Sequence, residues 1–154
     1  MPPAGAHAAR EAAGGIELAR APRKLDAVVL SHAHIDHSGR LPLLVQRGFA
    51  GPIYAQSATA DFCKIMLEDS ARLAEGDAET ENRKRDRKDL PHVTPLYTIG
   101  DVEHTLRQLV PLPYEEKREI LPGISICFQD AGHILGSACV EVWMQAGTLS
   151  RKLV

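Results

Sequence analysis

Residues 25–37 read LDAVVLSHAHIDH, a short apolar run that breaks into three imidazoles and a carboxylate. The run from Asp26 to Leu30 is too short for a stable helix and holds two β-branched residues, so it predicts a buried strand that ends at Ser31. Residues two apart leave the tip of a strand in similar directions, so His32 and His34 can converge on one ion. Asp36 and His37, beyond the bend, can point at a second. Imidazole and carboxylate bind zinc at roughly 2.0–2.2 Å, and a site built without thiolates keeps a position open for water, which is the catalytic arrangement.

A site of that kind needs a further ligand, and His133 supplies the natural third imidazole. It lies in Ala131-Gly132-His133-Ile134-Leu135-Gly136-Ser137, where glycines let a strand end and the chain turn sharply. This loop, like the first, is expected to leave the end of a buried strand.

Between and around the two motifs, strands alternate with helices. A helix follows the first motif, with Ser38 as its cap, Leu41, Leu43, Leu44 and Val45 as its apolar stripe and Gly48 as its stop. Residues 52–55 are a second strand. A helix opens at Ser57 and runs to about Leu73, with Ala60, Cys63, Ile65, Met66 and Leu67 inward. Residues 74–90 offer almost nothing to bury and form an exposed helix or a loop. Their basic run, Arg83 to Lys88, is interleaved with acids and reads as a solvated face rather than an RNA contact. Thr98 caps a helix over roughly 100–109, a strand follows near 109–113, and 124–130 and 138–145 make a strand pair. A last strand begins at about Arg151. This alternation argues for an α/β layered domain.

The chain has 154 residues and a formal net charge of −2, with 44% hydrophobic and 25% charged residues. That composition suits one globular domain and excludes collagen, coiled coil and a disordered polymer. The mild charge means that polyanion binding must come from local clusters. Cys63, Cys127 and Cys139 are an odd count without a CxxC pair, read as buried thiols in a reducing compartment. With no long apolar run and no secretory h-region, no membrane is expected as partner and the cytoplasm is the expected location. His7, His92 and His104 are expected to be solvated, and Trp143 to pack within a strand.

HAHIDH after a hydrophobic strand resembles the HxHxDH signature of the metallo-β-lactamase superfamily, and AGHILGSA resembles the third metal-binding motif of its β-CASP branch, which processes RNA and in some members DNA. The likeness extends through LDAVVLSHAHIDHSGRLPLLVQRGFAGPIYA, MLEDSA and PLYTIGDVEHTL. It implies a metallo-β-lactamase-like αββα sandwich. It further implies that His32, His34 and His133 bind one Zn2+, that Asp36 and His37 bind a second, and that Asp36 orients a metal-bound hydroxide which attacks a phosphodiester. The chain would then be a ribonuclease, with RNA as substrate, single-stranded DNA as a second polyanion, and a second copy as partner in a homodimer.

Against that pattern, residues 1–23 contain no Asp, and the strand expected to end in a bridging aspartate would begin at Arg151. The expectation is therefore a loose leader over 1–23 and a partial metallo-β-lactamase domain over 24–154. Missing from it would be the N-terminal strands, the C-terminal half and the β-CASP cap, so that the second zinc site is incomplete and the chain inactive alone. The alternatives are a non-catalytic metal-binding fragment, or a hydrolase of the same fold acting on a thioester or lactam.

Overall fold

The computed structural model describes residues 22–154. The leader expected over 1–23, with His7, lies outside those residues except for Pro22 and Arg23, which open a turn of 3-10 helix, Pro22–Lys24. The chain then runs β1 (Val28–Leu30), α1 (Ile35–Ser38), α2 (Leu41–Gln46), β2 (Ile53–Gln56), α3 (Ser57–Asp86), α4 (Ile99–Leu106), β3 (Leu109–Leu112), β4 (Arg118–Leu121), β5 (Ile124–Asp130), β6 (Ala138–Ala146) and β7 (Leu149–Leu153).

β1, β2 and β3 form a parallel sheet in that order, with Val28 opposite Ile53 and Ile53 opposite Leu109. Parallel neighbours need long crossovers; here α1 and α2 make the first and α3 and α4 the second. β4 to β7 form an antiparallel meander in sequence order.

The two-residue period of the strands decides which core each side chain joins. Val28, Leu30, Ile53, Ala55 and Leu109 face the helices and pack with Leu41, Cys63, Leu67 and Val102. Their neighbours Val29, Tyr54 and Val110, with Leu112, turn the other way onto Ile126, Phe128, Ala138, Val140 and Val142 of the second sheet. The described residues thus stack helices, a parallel sheet and an antiparallel sheet, as expected of this α/β sandwich. Burying apolar area at about 25 cal/mol per Å2 on both faces of the parallel sheet holds these layers together.

Several local expectations change. Ser38 ends the single turn α1 instead of capping the next helix: it is fully buried, and its hydroxyl donates to the Ala33 carbonyl at 2.8 Å. Of the two options for the polar stretch 74–90 the helical one holds, since α3 continues to Asp86. Its buried residues Thr59, Cys63, Leu67 and Ala71 fall every fourth position, so Ile65 and Met66 face outward, Ile65 with 65% of its surface exposed. One strand, β4, falls in a segment for which the sequence predicts no element, and β7 starts two residues before the expected point. Cys139 is exposed rather than buried. Thr98 does cap its helix, through a reciprocal capping box with Asp101.

Candidate metal centre

β1 delivers the first motif to the edge of the parallel sheet. Ala33 is buried in the helix-side core, which leaves His32 and His34, one residue to either side, to project away from it. The amides of His37 and Ser38 both donate to the His34 carbonyl at 2.9 Å, closing α1 directly behind the histidines. Asp36 and His37 ride on that turn.

The second motif leaves the antiparallel sheet between β5 and β6. Asp130 Oδ1 accepts from the Gly132 N–H at 2.8 Å, starting the turn. Gly132 and Gly136 both take positive φ, 65° and 84°, a region in which side chains other than glycine are strained. Ser137, nearly fully buried, accepts from the amides of His133 and Ile134, each at 3.1 Å. The sequence marks Ser137 only as a hydroxyl residue directly after a glycine at the mouth of a strand.

The fold brings His32, His34 and His133 together, with one ligand nitrogen of each within 4.8 Å of the others. His133 Nε2 lies 3.2 Å from His34 Nδ1 across 99 positions of sequence. Two imidazole nitrogens on a tetrahedral zinc stand about 3.3 Å apart, given zinc–nitrogen bonds near 2.05 Å. The donor set and its spacing fit a zinc ion. Ser31 Oγ lies 3.1 Å from His32 Nδ1, which leaves Nε2 of that ring for a ligand.

Asp36 and His37 border the trio without joining it. The His37 ring centroid is 4.1 Å from that of His32, and Asp36 Oδ2 is 3.5 Å from His37 Nε2. Both are substantially exposed. Among the described residues the trio is the one group of three potential ligands that converges.

At His32 the electrostatics favour neutral imidazole, the form that binds metal. Burial lowers the His32 pKa, and the charges of His37, His34 and His133 lower it further, with Asp36 pulling the other way. On one side of the trio Ala33, His34, Phe62, Met66, Ile134 and Leu135 line an apolar recess of about 230 Å3. This wall of low polarity strengthens the electrostatic interactions beside it.

The other candidates fall elsewhere. His92 pairs with Asp86 at 2.6 Å, beyond the end of α3, and His104 sits on α4. Arg85 and Lys84 pair with Glu81 on their own helix, as a solvated face would. Trp143 lies on β6 and is half-buried, with the ammonium groups of Lys117 and Lys152 at 4.3 and 5.0 Å from its ring. No helix among the described residues is long and apolar enough to cross a membrane.

Comparison with known proteins places these features in context. A family model described as "Metallo-beta-lactamase superfamily" matches residues 5–116. The chain is 38% identical over 115 residues to transcription termination factor FttA of Methanosarcina mazei, covering 75% of this chain and 16% of that protein. It is also 38% identical over 128 residues to ribonuclease TTHA0252 of Thermus thermophilus, covering 83% of this chain and 25% of that protein. The chain therefore spans a quarter or less of the length of these relatives. A solved structure, Rm3 metallo-beta-lactamase, aligns with 94% of this chain and 44% of its own at 18% identity, with a TM-score of 0.45.

Proposed function

Because the chain belongs to the metallo-beta-lactamase superfamily, we propose that it carries the metal-binding portion of a zinc-dependent RNA-processing hydrolase of the β-CASP branch, a ribonuclease. The observation that carries this reading is the meeting of His32, His34 and His133, from two loops on two sheets, at metal-ligand spacing. The similarity to a protein named a ribonuclease supports RNA as the substrate. The three free cysteines suit a reducing compartment such as the cytoplasm.

In this reading His32, His34 and His133 hold one zinc as neutral imidazoles, and Asp36 and His37 contribute to a second. Bound zinc supplies ionised water near neutral pH and a counter-charge for phosphate. The exposed Asp36 carboxylate accepts a hydrogen bond from the attacking water at one oxygen and so aims it at phosphorus. Its neighbour His37, with Nε2 at 3.5 Å from Asp36 Oδ2, stands beside that carboxylate and orients it. The apolar wall of Phe62, Met66 and Leu135 excludes water from one side of the reacting phosphate.

A second reading rests on the trio being the one converging group among the described residues: these 154 residues bind a single metal without turnover.

The test is to load the purified protein with zinc, count the metal, and assay cleavage of RNA, single-stranded DNA and a small chromogenic diester. Retention of zinc by the wild type, its loss in His133→Ala, and zinc-dependent cleavage of RNA are expected. Zinc retention with no cleavage of any diester selects the second reading. Failure to retain zinc at neutral pH overturns both.

A further inference from the structure

We infer that Thr59 is a positioning residue for the metal centre: its hydroxyl latches Gly136 onto the first turn of α3, and the Ser137 hydroxyl, which accepts from the His133 amide, passes that constraint on to His133. This rests on the zinc reading above. The problem it solves is visible in the burial pattern. His133 is exposed, so packing cannot fix its position, and a ligand on a free loop must lose backbone freedom each time metal binds. The loop beneath it is held instead.

Thr59 is fully buried, and its Oγ1 donates to the Gly136 carbonyl at 2.6 Å across 77 positions of sequence. Thr59 is the third residue of α3, so no earlier turn of its own helix offers its hydroxyl a carbonyl, and it reaches across to the loop. Gly136 allows the approach. A Cβ there would stand 2.5 Å from the Thr59 amide nitrogen and 2.9 Å from Gln56 Oε1, and Gln56 Oε1 is itself the N-cap acceptor for the Ala58 amide. The loop therefore sits directly on the start of the helix.

On the other side of Gly136, Ser137 Oγ takes the His133 and Ile134 amides, and the Ser137 amide donates to the Ile134 carbonyl at 2.9 Å. The Tyr114 hydroxyl donates to the Ser137 carbonyl at 2.8 Å. The backbone of His133 is thus tied to Ser137, and the residue between them and the helix is tied to Thr59.

A plain alternative exists for any buried hydroxyl: it needs some partner, and the nearest carbonyl serves. The two accounts differ in what they predict for metal. Thr59→Val keeps the shape of the side chain and removes the hydroxyl; Thr59→Ser keeps the hydroxyl. Zinc dissociation constants from competition with a chelator, the visible spectrum of the cobalt(II)-loaded protein, and hydrogen exchange of the His133 and Ile134 amides without metal are measured for both variants and wild type.

The latch predicts that Thr59→Val weakens zinc by about tenfold, in the range found for lost outer-sphere partners, alters the cobalt spectrum and speeds exchange of the His133 amide, and that Thr59→Ser restores all three. A Thr59→Val protein that melts earlier yet binds zinc as tightly as wild type overturns it. If Thr59→Val does not fold, Thr59→Ala, which also removes the hydroxyl, is read by the same criteria. Wild type that binds no zinc defeats the metal reading itself; in that case unchanged amide exchange in Thr59→Val overturns the latch separately.

Discussion

The amide of Ala138 donates to the carbonyl of Ser31 at 2.8 Å, joining the first residue of β6 to the residue that follows β1. This one backbone bond crosses from the antiparallel to the parallel sheet. Both histidine loops meet at it: His32 follows Ser31 directly, and the loop of His133 ends at Ser137, next to Ala138. The candidate metal centre is therefore a property of the contact between sheets, and changes that disturb this contact should be read out as metal binding.

Gly136→Ala tests the seating of the second loop. Its φ of 84° and the 2.5 Å approach of a Cβ to the Thr59 nitrogen leave no room for a methyl group. The substitution should destabilise the protein by about 2 kcal/mol, a typical cost for backbone strain of this kind, and shift a urea midpoint accordingly. Gly76→Ala, where a Cβ meets nothing within 4 Å, should be neutral or slightly stabilising because alanine favours the helix. Equal midpoints for the two variants would sink the argument.

His32 predicts an acid limb in the metal-free protein. Burial, then the neighbouring imidazoles, hold its folded pKa below the ordinary 6.5. The unfolded chain therefore takes up a proton at this residue first, so stability is lost as pH falls below 6.5 toward the folded value. In zinc-free buffer, denaturation midpoints of wild type should fall more steeply from pH 7 to pH 5 than those of His32→Gln. Parallel curves would show that this ring senses no such environment.

The cysteines separate by environment. Burial pushes the Cys63 thiol up to about 11, with Ser38 opposing, whereas Cys139 is exposed. Since the thiolate is the reactive form, iodoacetamide at pH 8 followed by mass spectrometry should label Cys139 and spare Cys63 in the native protein. Because the unfolded Cys63 ionises near 9.0 and the folded one only near 11, this residue should also cost the fold stability as pH rises above 9. Equal labelling of both thiols under native conditions would contradict the packing described.

Much of this was legible in the residues. An apolar run ending at Ser31 locates β1, apolar runs next to glycine or proline locate β2, β5 and β6, and the Thr98 cap locates α4. α3 runs on past Leu73 as the exposed helix that is one of two options for 74–90; the choice between them rests on pairs such as Glu81 with Arg85 and on the Asn82 side chain bonded to the Val93 backbone at 2.7 and 2.9 Å, in a stretch where Ala78 alone is buried. The failures share a cause. β4 has two charged residues in four and becomes a strand only through its pairing with β5. Ile65 and Met66 were misplaced because a hydrophobic cluster in sequence does not say which side of the helix meets the sheet.

The sequence by itself determined the local chemistry: His32 and His34 two apart at the tip of a strand, Asp36 and His37 one turn on, and glycines that let the second loop fold sharply around His133. Those features depend on neighbours within a few residues, where backbone geometry alone dictates direction. Only the tertiary structure decided that His133 arrives 3.2 Å from His34, that Thr59 and Ser137 hold its loop, and that Asp36 and His37 stand beside the trio rather than in it. Those are distances between segments far apart in the chain, and they are set by how two sheets pack, which no local pattern encodes.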